Sequence, residues 1–391
     1  MTKKFSIFNF QFSIIKRLFD TNALWLAMLI GALGYKWLLP LKPTLPVWIF
    51  FMLFFTFCKV NPLDLRLRRW HWAVLTLQLV LSFATYYGLM VLTGNTILAQ
   101  GLMLCFIMPT ATAAPIIAGK LGGSIQNLTA FTLLSNFTTS LIVPAFFPLI
   151  NNNLNLSTFE LLSTLNPQLS TFISAFLLLL SRICPLLLGP FFAAWLLRLG
   201  VNKYYRRLEV SKSRDSLTAN DSERSNSETV QQRSGHTAEG GQKEFTLSPG
   251  LAQIPFYLWV ASILVLTATV TETVLSTLNS QLSTILWLLL GSFFACLLQF
   301  GLGKYLGYHL PAMSKGRDYQ DVLINPAAAP KTMAGVSSIT AGQAFGQKNT
   351  SLGVWMAQTY LDPLSSLGAA AYIIWQNVFN SLQLAFAAHK K

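Results

Sequence analysis

Gly346, Gln347, Lys348, Asn349 and Thr350 form a polar knot inside a stretch that hydropathy otherwise predicts to be one membrane helix. An unpaired ammonium near a bilayer midplane costs about 3 kcal/mol on insertion scales, so such a residue faces a protein interior or a wet cavity and marks a binding site. Arg182, in SRICPLL, is a second cation near the middle of an apolar run, whereas Asp20, Asp64, Glu160, Glu272 and Asp362 all fall near run ends. Two cations without carboxylates call for one of three compensations: carbonyls at helix C-termini, an uncharged lysine, or an anionic substrate. Arg182 has the planar fork that suits a carboxylate or sulfonate, so recognition of a small organic anion is one chemistry these groups could do, with snorkelling or helix packing the other reading of Arg182.

A second interruption matches the first. PTATAAP, Pro109 to Pro115, contains Thr112 and leads into Gly119, Gly122 and Gly123. Proline removes an N–H donor and clashes with the preceding turn, and glycine permits an unwound backbone, so both interruptions should free amides and carbonyls inside the membrane. Pro144, Pro148, Pro185 and Pro190 lack such a partner and read as packing kinks.

These groups have to be positioned by membrane helices. Of 391 residues, 53% are hydrophobic and 11% charged, well below the roughly 25% charged of a soluble domain. Apolar runs recur near 22–39, 45–60, 71–93, 96–120, 124–150, 168–198, 253–277, 282–308, 336–358 and 360–386, which predicts an all-α integral membrane protein with ten spans. The net charge of +14 invites a nucleic-acid reading, but Lys and Arg cluster in alternate connections: Lys3, Lys4, Lys16 and Arg17; Lys59, Arg66, Arg68 and Arg69; Lys120; the loop after Arg198; Lys304, Lys315, Arg317 and Lys331; Lys390 and Lys391. The opposite connections carry little beyond Lys42. This positive-inside pattern puts both termini in the cytoplasm of a cell membrane, with lipid rather than nucleic acid as the surrounding partner. The first apolar region lacks a small-residue cleavage site and reads as an anchored helix.

Residues 201–248 are rich in Ser, Gly and mixed charge and read as a disordered cytoplasmic linker between 1–200 (five spans plus the sixth) and 249–391 (spans seven to ten). The break is the fourth span of each five-span half, and five is odd, so the halves should be inserted with opposite orientation and their breaks can meet near the midplane. Paired breaks of this kind point to a transporter with inverted repeats.

Other chemistries find less support. Cys58, Cys105, Cys184 and Cys296 show no CxxC spacing, so neither a metal nor a disulfide is expected, and no cofactor is called for. His71, His236, His309 and His389 lie at run ends or in the linker, and paired membrane carboxylates are lacking, so no catalytic residue is assigned and an embedded enzyme is disfavoured. A channel would need a charged ring or a filter sequence. A non-transporting receptor of the same architecture is the remaining alternative. The ten Trp and the many Tyr and Phe read as interfacial anchors.

The segments FFTFCKVNPLDLRLRRWHWAVL, FIMPTATAAPIIAGKLGGSIQNLT, CPLLLGPFFAAWLLRLG and GQKNTSLGVWMAQTYLDPLSSLGAAAYIIWQNVFNSLQ resemble the bile acid:sodium symporter family across nearly all of the chain outside the linker and a Pro/Ala-rich insertion at 325–338. The resemblance implies a core domain with two crossed, broken helices, a panel domain, and transport by alternating access. At the family's sodium-ligand positions this chain has Ala114 and Pro115 in the first break, then Ala344 for a Glu, Lys348 for a Gln and Asn349 for the Asn; Ser82 falls on a third-span Gln, with Gln78 one turn away. A carboxylate is lost and a cation gained, so sodium coupling is not expected and the coupling ion is left open. The site residues expected are Lys348, Asn349, Thr350, Gln347, Thr112, Pro115, Arg182 and Ser82. In one arrangement the Lys348 ammonium stands in for a bound ion, holding the breaks together through Asn349, Thr350, Thr112 and freed carbonyls; in the other, Lys348 and Arg182 attract the substrate anion.

Overall fold

The computed structural model describes residues 22–59, 65–150, 167–224, 248, 250–310 and 332–389. The basic N-terminal cluster, Lys315, Arg317, Lys331 and linker residues 225–247 lie outside them. Among the described residues there are helices and one isolated bridge, with no strand.

Helix α1 (Asn22–Leu33) gives way to a short helical turn and a 3-10 segment, Leu39–Thr44, that carries Lys42 between prolines. Then come α2 (Leu45–Phe57), α3 (Arg69–Thr93) and α4 (Thr96–Ile107). Asn95 caps α4, its Oδ1 accepting the Leu98 N–H at 3.0 Å. Helix α5 (Ala114–Lys120) starts after the Pro-containing interruption, with Pro115 in the first turn, where a missing N–H costs nothing. Helices α6 (Ile125–Ile150), α7 (Pro167–Arg224) and α8 (Ile254–His309) follow. The second interruption separates α9 (Met333–Gly346) from α10 (Thr350–Tyr360), and α11 (Ser366–His389) closes the described chain. Among the described residues, five helical stretches are long and apolar enough to cross a membrane: Tyr35–Phe57, Arg69–Thr93, Ile125–Ile150, Thr171–Tyr205 and Ile254–His309.

Helix α8 is a hairpin. Its backbone leaves helical geometry at Gln281 (φ −126°, ψ 23°). Ile263 packs in one cluster with Ile373 of α11, and Gln299 donates to the hydroxyl of the neighbouring Tyr372 at 3.1 Å. In a straight helix Ile263 and Gln299 would stand about 54 Å apart. They meet adjacent residues of α11 because the chain folds back at Gln281, midway between them. The second arm packs closely on α9: a Cβ at Gly303 or Gly307 would run into the backbone at Ala341 or Ser337. Small residues four apart let helices approach to backbone contact where lipid supplies no hydrophobic drive.

Helix α2 packs against α7 and α8, and Arg198 of α7 donates to the Cys58 carbonyl at 3.2 Å. The largest apolar cluster joins α2, α7 and the first arm of α8 to α4 and α10. A smaller cluster around Trp70, Phe131 and Phe345 holds α3, α5, α6 and α9 together. One expectation changes here. Helix α7 continues to Arg224, so residues 201–224 of the expected linker are helical. Good helix formers such as Arg206, Arg207, Leu208 and Glu209 follow the span directly and extend a helix it has already nucleated, which composition alone did not reveal.

Candidate functional site

Each interruption leaves a helix C-terminus with unpaired carbonyls and a following helix with unpaired amides. The two interruptions supply each other's partners. Thr110 and Lys348 face one another in an antiparallel bridge, with Ala111 N–H donating to the Gln347 carbonyl (3.0 Å) and Asn349 N–H to the Pro109 carbonyl (2.7 Å).

The side chains repeat the exchange. The Thr110 hydroxyl donates to the Ala344 carbonyl at 2.7 Å, and the Lys348 ammonium donates to the Phe106 carbonyl at 3.0 Å. Each residue thus caps the carbonyl four positions before its bridge partner. Their own amides donate to the next long helix: Thr110 N–H to Ser135 Oγ of α6 (3.2 Å), Lys348 N–H to Gln376 Oε1 of α11 (3.0 Å).

The remaining carbonyls at the end of α4 are also met. Gln299 donates to Cys105 at 3.0 Å, while Gln78 donates to Ile107 at 3.3 Å and Met108 at 3.2 Å. At the end of α9, Tyr372 donates to the Gly346 carbonyl at 2.8 Å. Asn349 caps α10, its Oδ1 accepting from Leu352 N–H at 3.3 Å. Gln347 donates to Gln343, which donates to Gln383 at 3.2 Å.

Lys348 is 1% exposed. The C-terminus of α4 brings about half a negative charge to its ammonium. The face of Phe345, with its ring centre 5.0 Å from Nζ, adds a cation–π contact. Of the three compensations open to a buried cation, the helix terminus is the one in contact. Gln78 Oε1, Gln299 Oε1 and Asn349 Nδ2 are buried here without hydrogen-bond partners among the described residues.

The expected site residues divide. Lys348, Asn349, Thr350 and Gln347 come together at the knot, all buried. Pro115 is buried in the first turn of α5. Thr112 is half-buried on the turn and joins none of these hydrogen bonds; Thr110, the bridge residue, does the work expected of it, because only the paired position lies across the end of α9. Ser82 bonds within its own helix, to the Gln78 carbonyl at 2.7 Å, since a side chain that short reaches only the preceding turn. Gln78 spans to the break in its place.

Arg182 does not join Lys348. It is exposed on α7 and lines an open cavity of about 630 Å³ whose other cation is Lys42. The Lys348 ammonium is instead sealed among helix ends. The residues missed by sequence, Thr110, Gln299, Tyr372 and Gln376, had one available signal: each is a polar group in or beside an apolar run. No protein-family model matches the chain, and no curated protein matches it.

Proposed function

We propose that this chain is a secondary transporter of small organic anions in the cell membrane, of the architecture that the bile acid:sodium symporter resemblance implies. In this reading α1, α2, α3, α4 with α5, and α6 are the five spans of one repeat. Helix α7, the two arms of α8, α9 with α10, and α11 are the five spans of its inverted counterpart. Both termini are cytoplasmic, following the positive connections. Helices α1, α2, α7 and the first arm of α8 form the panel, and the remainder is the core that moves against it.

The observation that carries the reading is the reciprocal capping at Thr110 and Lys348, where the two interrupted helices satisfy one another. Irregular backbone at membrane depth is tolerated when protein buries it or it lines a wet cavity, and in transporters such breaks sit beside the substrate path. The Lys348 ammonium takes the place that a bound cation would fill between helix ends, so transport proceeds without sodium.

Counterflow in proteoliposomes tests this. Vesicles loaded with a mixture of cellular organic anions should exchange a subset of them saturably, equally in sodium and in potassium. Absence of any counterflow would favour the receptor alternative, and strict sodium dependence would overturn the role given to Lys348.

A further inference from the structure

A separate cavity of about 410 Å³ lies where the turn between α3 and α4 meets the second arm of α8, and it shares no lining residue with the cavity of Arg182. Its volume falls within the range of ligand sites, about 300–1,000 Å³. The lining is graded along the helix axes. Thr93, Asn95, Ser283 and Thr284 stand beside the turns, whereas Leu102 and Gly291 lie seven residues beyond Asn95 and eight beyond Ser283, about 10 and 12 Å deeper. A Cβ at Gly291 would strike the Leu102 side chain, so these two residues close the floor. No charged side chain lines the cavity among the described residues.

Most polar groups at the mouth are already engaged. The Thr93 hydroxyl donates to the Leu89 carbonyl at 2.7 Å and accepts from the Asn95 N–H at 3.2 Å. Asn95 Nδ2 donates to the Thr284 hydroxyl at 2.8 Å, which donates to Gln281 Oε1 at 3.0 Å. Two donors are left over: the Ser283 hydroxyl and the Trp287 indole N–H make no hydrogen bond among the described residues. Ser283, Trp287 and Gly291 follow one another at intervals of four, so one face of α8 carries both free donors above an apolar slot. Trp287 is 57% exposed, which places its ring toward lipid and not in the helix packing.

The matching ligand has acceptors at one end, an apolar body, and no need of a counter-charge. A carboxylate buried here would find no cation. A carbohydrate brings many hydroxyl donors, and the acceptors at this mouth are taken. A glycerolipid brings ester carbonyls, which only accept, joined to an acyl chain, and tryptophan at a membrane interface sits at headgroup level, beside those esters. We infer that this cavity holds one membrane glycerolipid, its acyl chain lying along Leu89, Leu98 and Leu102 and its ester carbonyls accepting from Trp287 and Ser283, whatever its headgroup. In the orientation proposed above the lipid belongs to the outer leaflet. The seat requires only that the chain lie in a bilayer and goes beyond the transporter reading.

The test uses full-length protein in nanodiscs that contain a trace of diester phosphatidylcholine with a diazirine on one acyl chain, the bulk lipid being either diester or diether phosphatidylcholine. After irradiation, lipid adducts are mapped by peptide mass spectrometry. Adducts on 89–102 and 283–291 should be about threefold or more abundant in the diether discs, because bulk lipid without ester carbonyls no longer competes for the two donors. Adducts on α1, whose Leu29, Ile30 and Leu33 are exposed, should be equal in both discs. The Trp287→Phe/Ser283→Ala double variant keeps a ring at 287 and should unfold at the wild-type temperature, yet lose the difference between the discs. Adducts spread over the exposed helices without enrichment at the two segments, equal yields in both discs, or a difference that survives in the double variant would each overturn the inference. Displacement of these adducts by maltose would make the occupant a carbohydrate, and enrichment confined to discs containing phosphatidylglycerol would make the anchor an anionic headgroup; either would overturn the ester seat. None of these readouts depends on counterflow, so the lipid seat can fail while the carrier stands, and the carrier can fail while the seat stands.

Discussion

The partners of the Lys348 Nζ are dipoles: the Phe106 carbonyl at the end of α4 and the face of Phe345. Burying a charge and pairing it nearly cancel, so Lys348→Met should change stability by less than about 2 kcal/mol. It should nevertheless lower counterflow at least about tenfold, a barrier change of about 1.4 kcal/mol, because the helix end it closes becomes an open polar gap. Lys348→Gln at wild-type rate would remove Lys348 from the mechanism. Thr110→Val is the complementary change. It keeps the shape and leaves the Ala344 carbonyl without its cap, at a cost of about 1–3 kcal/mol, read as a lower midpoint of thermal unfolding in detergent. An unchanged midpoint would mean that water meets this carbonyl, and that the reciprocal capping is not what holds the breaks together.

Among the elements, the second arm of α8 and the broken pair α9 and α10 depend most on close approach. A Cβ at Gly307 would meet the Ser337 backbone, whereas one at Gly301 of the same arm meets nothing within 4 Å. Gly307→Val should therefore sharply reduce the yield of monodisperse protein on size-exclusion chromatography, while Gly301→Val behaves as wild type. Equal yields would show that α9 can shift without loss. The helix boundaries themselves were largely legible in sequence. The apolar runs at 71–93 and 124–150 became α3 (Arg69–Thr93) and α6 (Ile125–Ile150), since long apolar stretches bounded by polar residues carry their own limits. Helix α7 beyond 201 was not legible, because a polar helix continued from a span has the composition of a linker.

For the whole molecule, the decisive question is whether the α2 and α7 side moves relative to α10. Val47 of α2 and Thr359 of α10 are exposed residues that line the same cavity. Cysteines at both positions, in a Cys184→Ser background, should be joined by a short thiol-reactive linker. The linked protein should lose counterflow and regain it when the linker is cleaved. Full activity while linked would exclude this motion as the transport step.

The sequence by itself determined that the chain is helical and apolar enough for a membrane, where helices such as α3 and α6 begin and end, and that apolar runs are interrupted at Pro109–Pro115 and Gly346–Thr350. Those features are local, set by hydropathy along a few turns and by the backbone limits of Pro and Gly. Tertiary structure alone decided that Thr110, not Thr112, faces Lys348, that Gln78, not Ser82, closes the end of α4, and that Arg182 belongs with Lys42. These pairings join residues more than two hundred positions apart in the case of Thr110 with Ala344 and Lys348 with Phe106. Which side chain meets an orphan carbonyl depends on how the packed helices bring it within 3 Å, a distance that residue type and spacing do not encode.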